Sequence, residues 1–330
     1  MRKLCLLLLL IMVMLVAAAC QNKQATPSPD PVSVDDNLQV TFTNVSFSET
    51  LKSLKNKPMR KVHYRNQAIV LMYHEIKDSG QPFALSSADF ESHIRMLLHQ
   101  GYNIISIEQF EDYMSGKIRT IPDNAVVLTF DDGYEDFYQN AYPILQKYNV
   151  TATNFVIVKS TDIYNSKIIP HMTWDQIREM RSKGFSFYSH TYDHHRKINI
   201  DDAGTKIGAL ASPAYNREHK QGETREEYRA RIKADLMMAE ELLKKEVSNT
   251  RSILAFPYGE YSEDTISIGK ELGINLFYTV EEGMNKRGAT LISRINAGVP
   301  NLSAKQLWMT MKKYDDRTLK SSYKFTTLGI

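Results

Sequence analysis

The stretch Val126-Val127-Leu128-Thr129-Phe130-Asp131-Asp132-Gly133-Tyr134 drives a run of large and β-branched apolar residues straight into two adjacent carboxylates. Such a run reads as a buried strand, and Gly133 after the aspartates is a natural strand-ending turn residue. The pattern therefore predicts a strand whose C-terminal end presents Asp131 and Asp132. Two neighbouring like charges repel, and the arrangement becomes tolerable when one binds a cation while the other stays free to take a proton. A solvated Asp-Asp-Gly turn is the competing reading of these residues taken alone.

Outward from this strand, the same theme recurs. Residues 69–73 form an apolar run ending on His74, residues 185–189 one ending on His190, and residues 252–256 one entering Pro257-Tyr258-Gly259. Further strands are expected at 152–158, 276–280 and 291–295. Helical spacing marks 87–100, 107–114, 137–148, 228–247, 262–272 and 303–312, and Thr173 with Gln176 forms a capping-box pattern opening a helix to Lys183. Strands alternating with helices imply parallel strands with helices packed outside. Seven such strands without a Rossmann glycine fingerprint favour an α/β fold closed, or nearly closed, into a barrel. In barrels of this kind the chemistry gathers at the C-terminal ends of the strands.

The 330 residues, 42% hydrophobic and 24% charged, suit one large globular domain. The formal charge of +3 falls to +1 without Arg2 and Lys3, so nothing points to nucleic acid. Cys5 and Cys20 both lie in the first twenty residues, leaving the folded domain no disulfide framework and no cysteine zinc site. Residues 1–19 read as a signal peptide, and Ala17-Ala18-Ala19 before Cys20 resembles the bacterial lipoprotein signal. That resemblance implies a membrane anchor through lipidated Cys20; cleavage to a freely secreted protein is the alternative, and either is extracytoplasmic. Residues 20–67 read as a flexible tether and basic linker, 68–314 as the single catalytic domain with a polar surface insertion at 198–222, and 315–330 as a tail. A monomer is expected.

His190-Thr191-Tyr192-Asp193-His194 spaces two histidines four apart, and one helical turn across this spacing puts both on the same side. Two imidazoles and a carboxylate make a catalytic zinc-type ligand set with a position left open for water. Such a metal lowers the pKa of its water from about 15.7 to about 7.

Thr129-Phe130-Asp131-Asp132-Gly133, Ser189-His190-Thr191-Tyr192-Asp193-His194 and Phe256-Pro257-Tyr258-Gly259, in this order, resemble the successive motifs of the polysaccharide deacetylases, the NodB-homology carbohydrate esterases of family four. The resemblance implies a distorted seven-stranded (β/α) barrel of the NodB type. It further implies Asp131 as catalytic base and Asp132, His190 and His194 as ligands of one divalent metal ion, Zn2+ in the first place, with Co2+ or Ni2+ also suited. His195 stands where a proline is common in the family and competes as a ligand. The family's general acid is a histidine in a C-terminal Leu-x-His motif, but no histidine follows His219. Leu71-Met72-Tyr73-His74 resembles that motif with one extra residue, the circularly permuted arrangement of deacetylases acting on poly-N-acetylglucosamine, which implies His74 as the acid. Ala255-Phe256 occupies the place of the usual base-orienting arginine; Arg294 is the substitute assigned here, Arg251 lying too far upstream on its strand. The Tyr258 backbone N–H, next to Pro257, is assigned to the oxyanion, and Tyr134, Tyr192, Trp174 and Tyr258 are aromatics able to stack on sugar rings.

The implied function is metal-dependent removal of acetyl groups from N-acetylglucosamine units of a cell-envelope polysaccharide or exopolysaccharide, foremost poly-β-1,6-N-acetylglucosamine. Peptidoglycan and chitooligosaccharides are the alternative substrates, and a non-catalytic glycan-binding lipoprotein is the alternative of another class. Glycoside hydrolysis fits poorly, because adjacent aspartates on one strand point to opposite faces.

Overall fold

The computed structural model describes residues 61–78 and 84–316. The signal peptide, Cys20, the tether as far as residue 60 and the tail from 317 lie outside the described residues.

In chain order the first half comprises β1 (Gln67–Tyr73), α1 (Ser87–His99), β2 (Asn103–Ile104), α2 (Ile107–Met114), β3 (Ala125–Phe130), a π-turn (Phe137–Ala141) running into α3 (Tyr142–Lys147), β4 (Thr153–Val156), α4 (Val158–Asp162), α5 (Trp174–Ser182) and β5 (Ser186–Ser189). Next come two short hairpins, β6 (Lys197–Asn199) with β7 (Lys206–Gly208) and β8 (Tyr215–Asn216) with β9 (Gln221–Gly222). They occupy the stretch read as a surface insertion. The second half comprises α6 (Arg225–Val247), β10 (Ser252–Ala255), α7 (Glu263–Glu271), β11 (Ile274–Tyr278), β12 (Asn285–Lys286), β13 (Leu291–Ile292), β14 (Ile295–Asn296) and α8 (Ala304–Met311).

Seven strands run parallel in the order β1-β3-β4-β5-β10-β11-β13, with β12 antiparallel on the outer side of β1 and β2 beside β3. The seventh predicted strand is broken. Leu291–Ile292 pairs with β11, the chain bends at Ser293-Arg294, and Ile295–Asn296 then pairs with β1, with Leu71 opposite Ile295. One segment thus reaches both edges of the sheet and nearly closes the barrel.

Strand residues alternate between two cores. Val70, Val127, Phe155, Tyr188, Ile253 and Tyr278 fill the barrel, while Leu71, Leu128, Phe130, Val156 and Phe187 pack outward under the helices. Both faces being buried explains the near-continuous apolar runs that the sequence shows. The longest helix among the described residues, α6, opens on a Thr224–Glu227 capping box and ends at Ser248, whose φ of 55° breaks the helical path. Its Ile232, Leu236, Ala239, Leu243 and Val247 face the core, and the same buried stripe carries one carboxylate, Asp235.

The packed unit starts before residue 68 and reaches past residue 314. His63 and Tyr64 are buried, Asn124 accepts from both of their backbone N–H groups, and His63 Nδ1 lies 3.0 Å from Asp315. Among the described residues no helix is long and apolar enough to cross a membrane.

Candidate active site

Three of the strand ends leave regular geometry at the residue that matters. Asp132 follows β3 with φ 76°, Thr191 follows β5 and His190 with φ 74°, and Tyr258 follows β10 and Pro257 with φ 61°. A non-glycine residue in the left-handed region costs about 1–2 kcal/mol. Each sharp turn lifts a side chain out of a strand and onto one rim. Gly133, at φ 80°, lets the chain pass Val156, whose Cγ1 is 3.0 Å from where a Cβ would stand.

On this rim Asp131 is almost wholly buried and clasped by Arg294, which donates Nη1 to Oδ1 at 2.7 Å and Nη2 to Oδ2 at 2.8 Å. Arg294 is itself fully buried; its Nε donates to the Thr279 carbonyl and its plane stands over Phe155. The bend between β13 and β14 is what delivers this side chain to the barrel mouth. Burial is the largest influence on Asp131 and pushes its pKa up, but the Arg294 charge, with His190 and the Arg294 hydrogen bonds, holds it below the ordinary carboxylate value. Asp131 is therefore an ionised, oriented carboxylate at neutral pH. His74, at the end of β1 and partly exposed, brings Nε2 to 3.9 Å from Asp131 Oδ2. The sequence assignments of Asp131, Arg294 and His74 fall on one cluster.

Beside this pair, Asp132 Oδ1 is buried and accepts no hydrogen bond. It lies 3.1 Å from His195 Nε2 and 3.5 Å from His190 Nε2, and the ligand atoms of the three residues lie within 4.8 Å of one another. His190 donates Nδ1–H to the Ala255 carbonyl at 2.9 Å, which turns Nε2 toward Asp132. Burial pushes the His190 pKa down to about 4, so its Nε2 carries a free lone pair at neutral pH. Burial likewise raises Asp132, but the imidazoles of His195 and His190 outweigh it and hold that carboxyl far below its usual value. A buried orphan carboxylate oxygen facing two imidazole nitrogens fits a divalent cation of the Zn2+, Co2+ or Ni2+ type.

His195 takes the place that the sequence reading gave to His194. The four-residue spacing counts as one face only in a helix, and residues 190–195 are not helical; Thr191 turns left-handed within them. His194 points away from the cluster, donating Nδ1–H to Asp235 of α6, while its Nε2 is buried without a hydrogen-bond partner. The His195 ring packs, tilted, against that of His190, ring centres 4.9 Å apart, and against that of Tyr258 at 4.7 Å.

Tyr258 is 41% exposed, and Lys197 of β6 sits over its ring at 4.4 Å, so the surface insertion borders the rim. Pro257 is buried beneath it. On the other side of His195 a groove of 620 Å³ opens between residues 157–171 and 193–196, walled by Ile163, Ile168 and Arg196 with Tyr134 at its inner end. His171, a residue that no sequence signal singled out, lines it with its ring 5.1 Å from that of Tyr134. Of the other aromatics, Tyr192 and Trp174 pack partly buried against the outer core. Arg251 is far from the site, paired with Glu111 and Asp112 of α2.

The family model described as polysaccharide deacetylase matches residues 119–277, which include Asp131, Asp132, His190 and His195 but neither His74 nor Arg294. The poly-beta-1,6-N-acetyl-D-glucosamine N-deacetylase of Escherichia coli K12 is 30% identical over 233 residues, 66% of this chain and 34% of that protein, so the chain spans about a third of that relative's length. The Staphylococcus aureus MRSA252 protein of the same name is 26% identical over 242 residues, covering 68% and 76% of the two chains. The solved structure of a de-N-acetylase from Aggregatibacter actinomycetemcomitans superimposes with a TM-score of 0.67 at 28% identity, over 75% of this chain and 99% of that one. Motifs on the strand ends, barrel and relatives converge: the chain belongs to the polysaccharide deacetylase family.

Proposed function

We propose that the protein hydrolyses the acetamide of N-acetylglucosamine units in an extracellular polysaccharide, foremost a β-1,6-linked one, giving acetate and a glucosamine unit. The observation that carries the reading is Asp131, ionised and clamped by Arg294, standing next to the buried cluster of Asp132, His190 and His195. In this reading Asp132, His190 and His195 hold the divalent cation. When bound, it supplies Lewis-acid polarisation and a water of lowered pKa.

The chain's own groups do the rest. Asp131 takes the proton from the water that attacks the acetamide carbonyl, held in line by its two bonds to Arg294. In this reading His74 protonates the departing nitrogen; its Nε2, 3.9 Å from Asp131 Oδ2, stands beside the base on the same rim. The Tyr258 N–H, presented by the left-handed turn after Pro257, is assigned to the charge developing on the carbonyl oxygen. The groove beyond Tyr134 and the exposed Tyr258 face offer room and an aromatic surface for neighbouring sugars. Position outside the cytoplasm and anchoring by lipidated Cys20 belong to the same reading and rest on residues 1–20.

The test is acetate release by the full chain from a β-1,6-linked N-acetylglucosamine pentamer, its β-1,4-linked counterpart and peptidoglycan, each with and without chelator. Chelator-sensitive release, restored by Zn2+ or Co2+ and fastest on the β-1,6 pentamer, is expected. Wild-type release by an Asp131→Asn protein that still takes up metal refutes the catalytic assignment.

A further inference from the structure

We infer that Asp235, on α6 and more than forty residues from the histidine loop, is the positioning residue that sets the geometry of the cation site. This inference rests on the reading of Asp132, His190 and His195 as the cation's ligands. Between His190 and His195 the chain has four backbone N–H groups, and side chains satisfy all of them. Thr191 N–H donates to Ser189 Oγ at 3.0 Å and His194 N–H to Thr191 Oγ1 at 3.1 Å. The middle two go to one carboxylate: Tyr192 N–H donates to Asp235 Oδ2 at 3.0 Å, and Asp193 N–H to Asp235 Oδ1 at 2.8 Å. His194 adds its ring Nδ1–H to Oδ1. Asp235 is only 6% exposed.

Three donors converging on one buried carboxylate fix both the path of the loop and the direction in which its next residue leaves. The opposite side is tied to α4, where Val158 N–H donates to the Thr191 carbonyl and Lys159 N–H to that of Tyr192. The loop is thereby held between two helices, and His195 leaves it at the point where its Nε2 meets Asp132. Without the carboxylate, two partly buried backbone N–H groups lose their acceptor, at up to about 1–3 kcal/mol each, and the loop has a reason to repack. Serine or asparagine cannot replace it, since neither offers two oxygens at once to adjacent N–H groups. His194 is explained by the same arrangement, as a strut between loop and helix and not as a ligand.

The experiment compares the wild-type chain with Asp235→Asn and Asp235→Glu. Zn2+ affinity is read by competition with a chelating dye, the Co2+-loaded proteins by their visible absorption, and each fold by its melting temperature without metal. Asp235→Asn is expected to bind Zn2+ about 10–100-fold more weakly, as loss of an outer-sphere partner does, with an altered Co2+ spectrum. Its KM is expected to stay near wild type and its kcat to recover toward wild type at saturating metal. Asp235→Glu, which keeps both oxygens, is expected to recover part of the affinity. Zn2+ affinity within about twofold of wild type in Asp235→Asn, well short of the usual outer-sphere effect, overturns the inference. So does a lowered melting temperature with unchanged Co2+ spectrum, which is what a purely structural role gives. Should Asp235→Asn fail to fold, the Asp235→Glu protein decides by the same two readouts, an unchanged spectrum and affinity counting against. If the wild-type chain takes up neither Zn2+ nor Co2+, the cation-site reading itself falls.

Discussion

Replacing Arg294 by Met keeps the bulk and the apolar stem but removes the guanidinium that both orients Asp131 and neutralises it. Arg294 gives two hydrogen bonds to Asp131 and one to the Thr279 carbonyl, all of them buried. Breaking a buried pair by deleting one partner costs about 3–5 kcal/mol, because the remaining charge is stranded. The pH dependence has a definite sign. In the wild type the folded Asp131 pKa lies below its unfolded value of about 3.9. Its contribution is therefore complete above the unfolded pKa and lost as pH falls through the folded one. In Arg294→Met the strongest influence opposing burial is gone, leaving only His190 and His74 against it, and the folded pKa is expected to rise above the unfolded value, so the penalty is full at neutral pH and relieved as the carboxyl protonates. The two stability curves should converge on acidification. Urea unfolding at about pH 7 and about pH 5 measures this, and the acid limb of kcat/KM should move to higher pH in the variant. A deficit below about 1 kcal/mol at neutral pH, far under the stranded-charge cost, or an acid limb that stays in place, would refute the account of Asp131. Arg294→Lys keeps the charge without the two-pronged fork and is expected to fall between.

His195→Ala should abolish stoichiometric Zn2+ uptake while His194→Ala retains it with reduced affinity, read by dye competition; the reverse order would return the ligand role to His194. His74→Ala should lower kcat by about 10²–10⁴-fold, the usual contribution of a general acid, with Zn2+ affinity unchanged. Gly259→Ala should destabilise the fold by about 1–3 kcal/mol, since the glycine has φ 69° and an added Cβ would collide with Val280 Cγ2. A Val280→Ala partner substitution should recover the steric part of that loss, and a thermal melt showing no recovery would discount the clash.

The strands that carry the site were legible because each is an apolar run ending abruptly on a reactive residue, and both faces of a barrel strand demand such runs. Arg294 could be assigned because it stands near the end of the last such run. The broken seventh strand was less visible: a two-residue pairing on each side of a bend leaves no periodicity to read. The choice between His194 and His195 was not decidable from spacing. The loop conformation is imposed by Asp235 of α6, whose place among the apolar residues of an amphipathic helix is the one sequence hint, a charge where a core residue belongs. His171 and the hairpins of the surface insertion gave no signal either, since short exposed pairings have no need of apolar alternation.

The joining of Leu71 to Ile295 across the barrel seam has a kinetic consequence. His74 comes from the first strand and Arg294 from the last, so the catalytic pair around Asp131 exists only once the two ends of a chain segment more than two hundred residues long have met. Pairings so remote in sequence are slow to form, because the entropy of closing the intervening loop is spent before any contact repays it. A chain whose last strand has not yet docked would thus carry a stranded Asp131 without its full pair of partners. Pulse-labelled hydrogen exchange during refolding should find the β1–β14 amides protected with the recovery of activity, and earlier protection there without activity would count against this order of events.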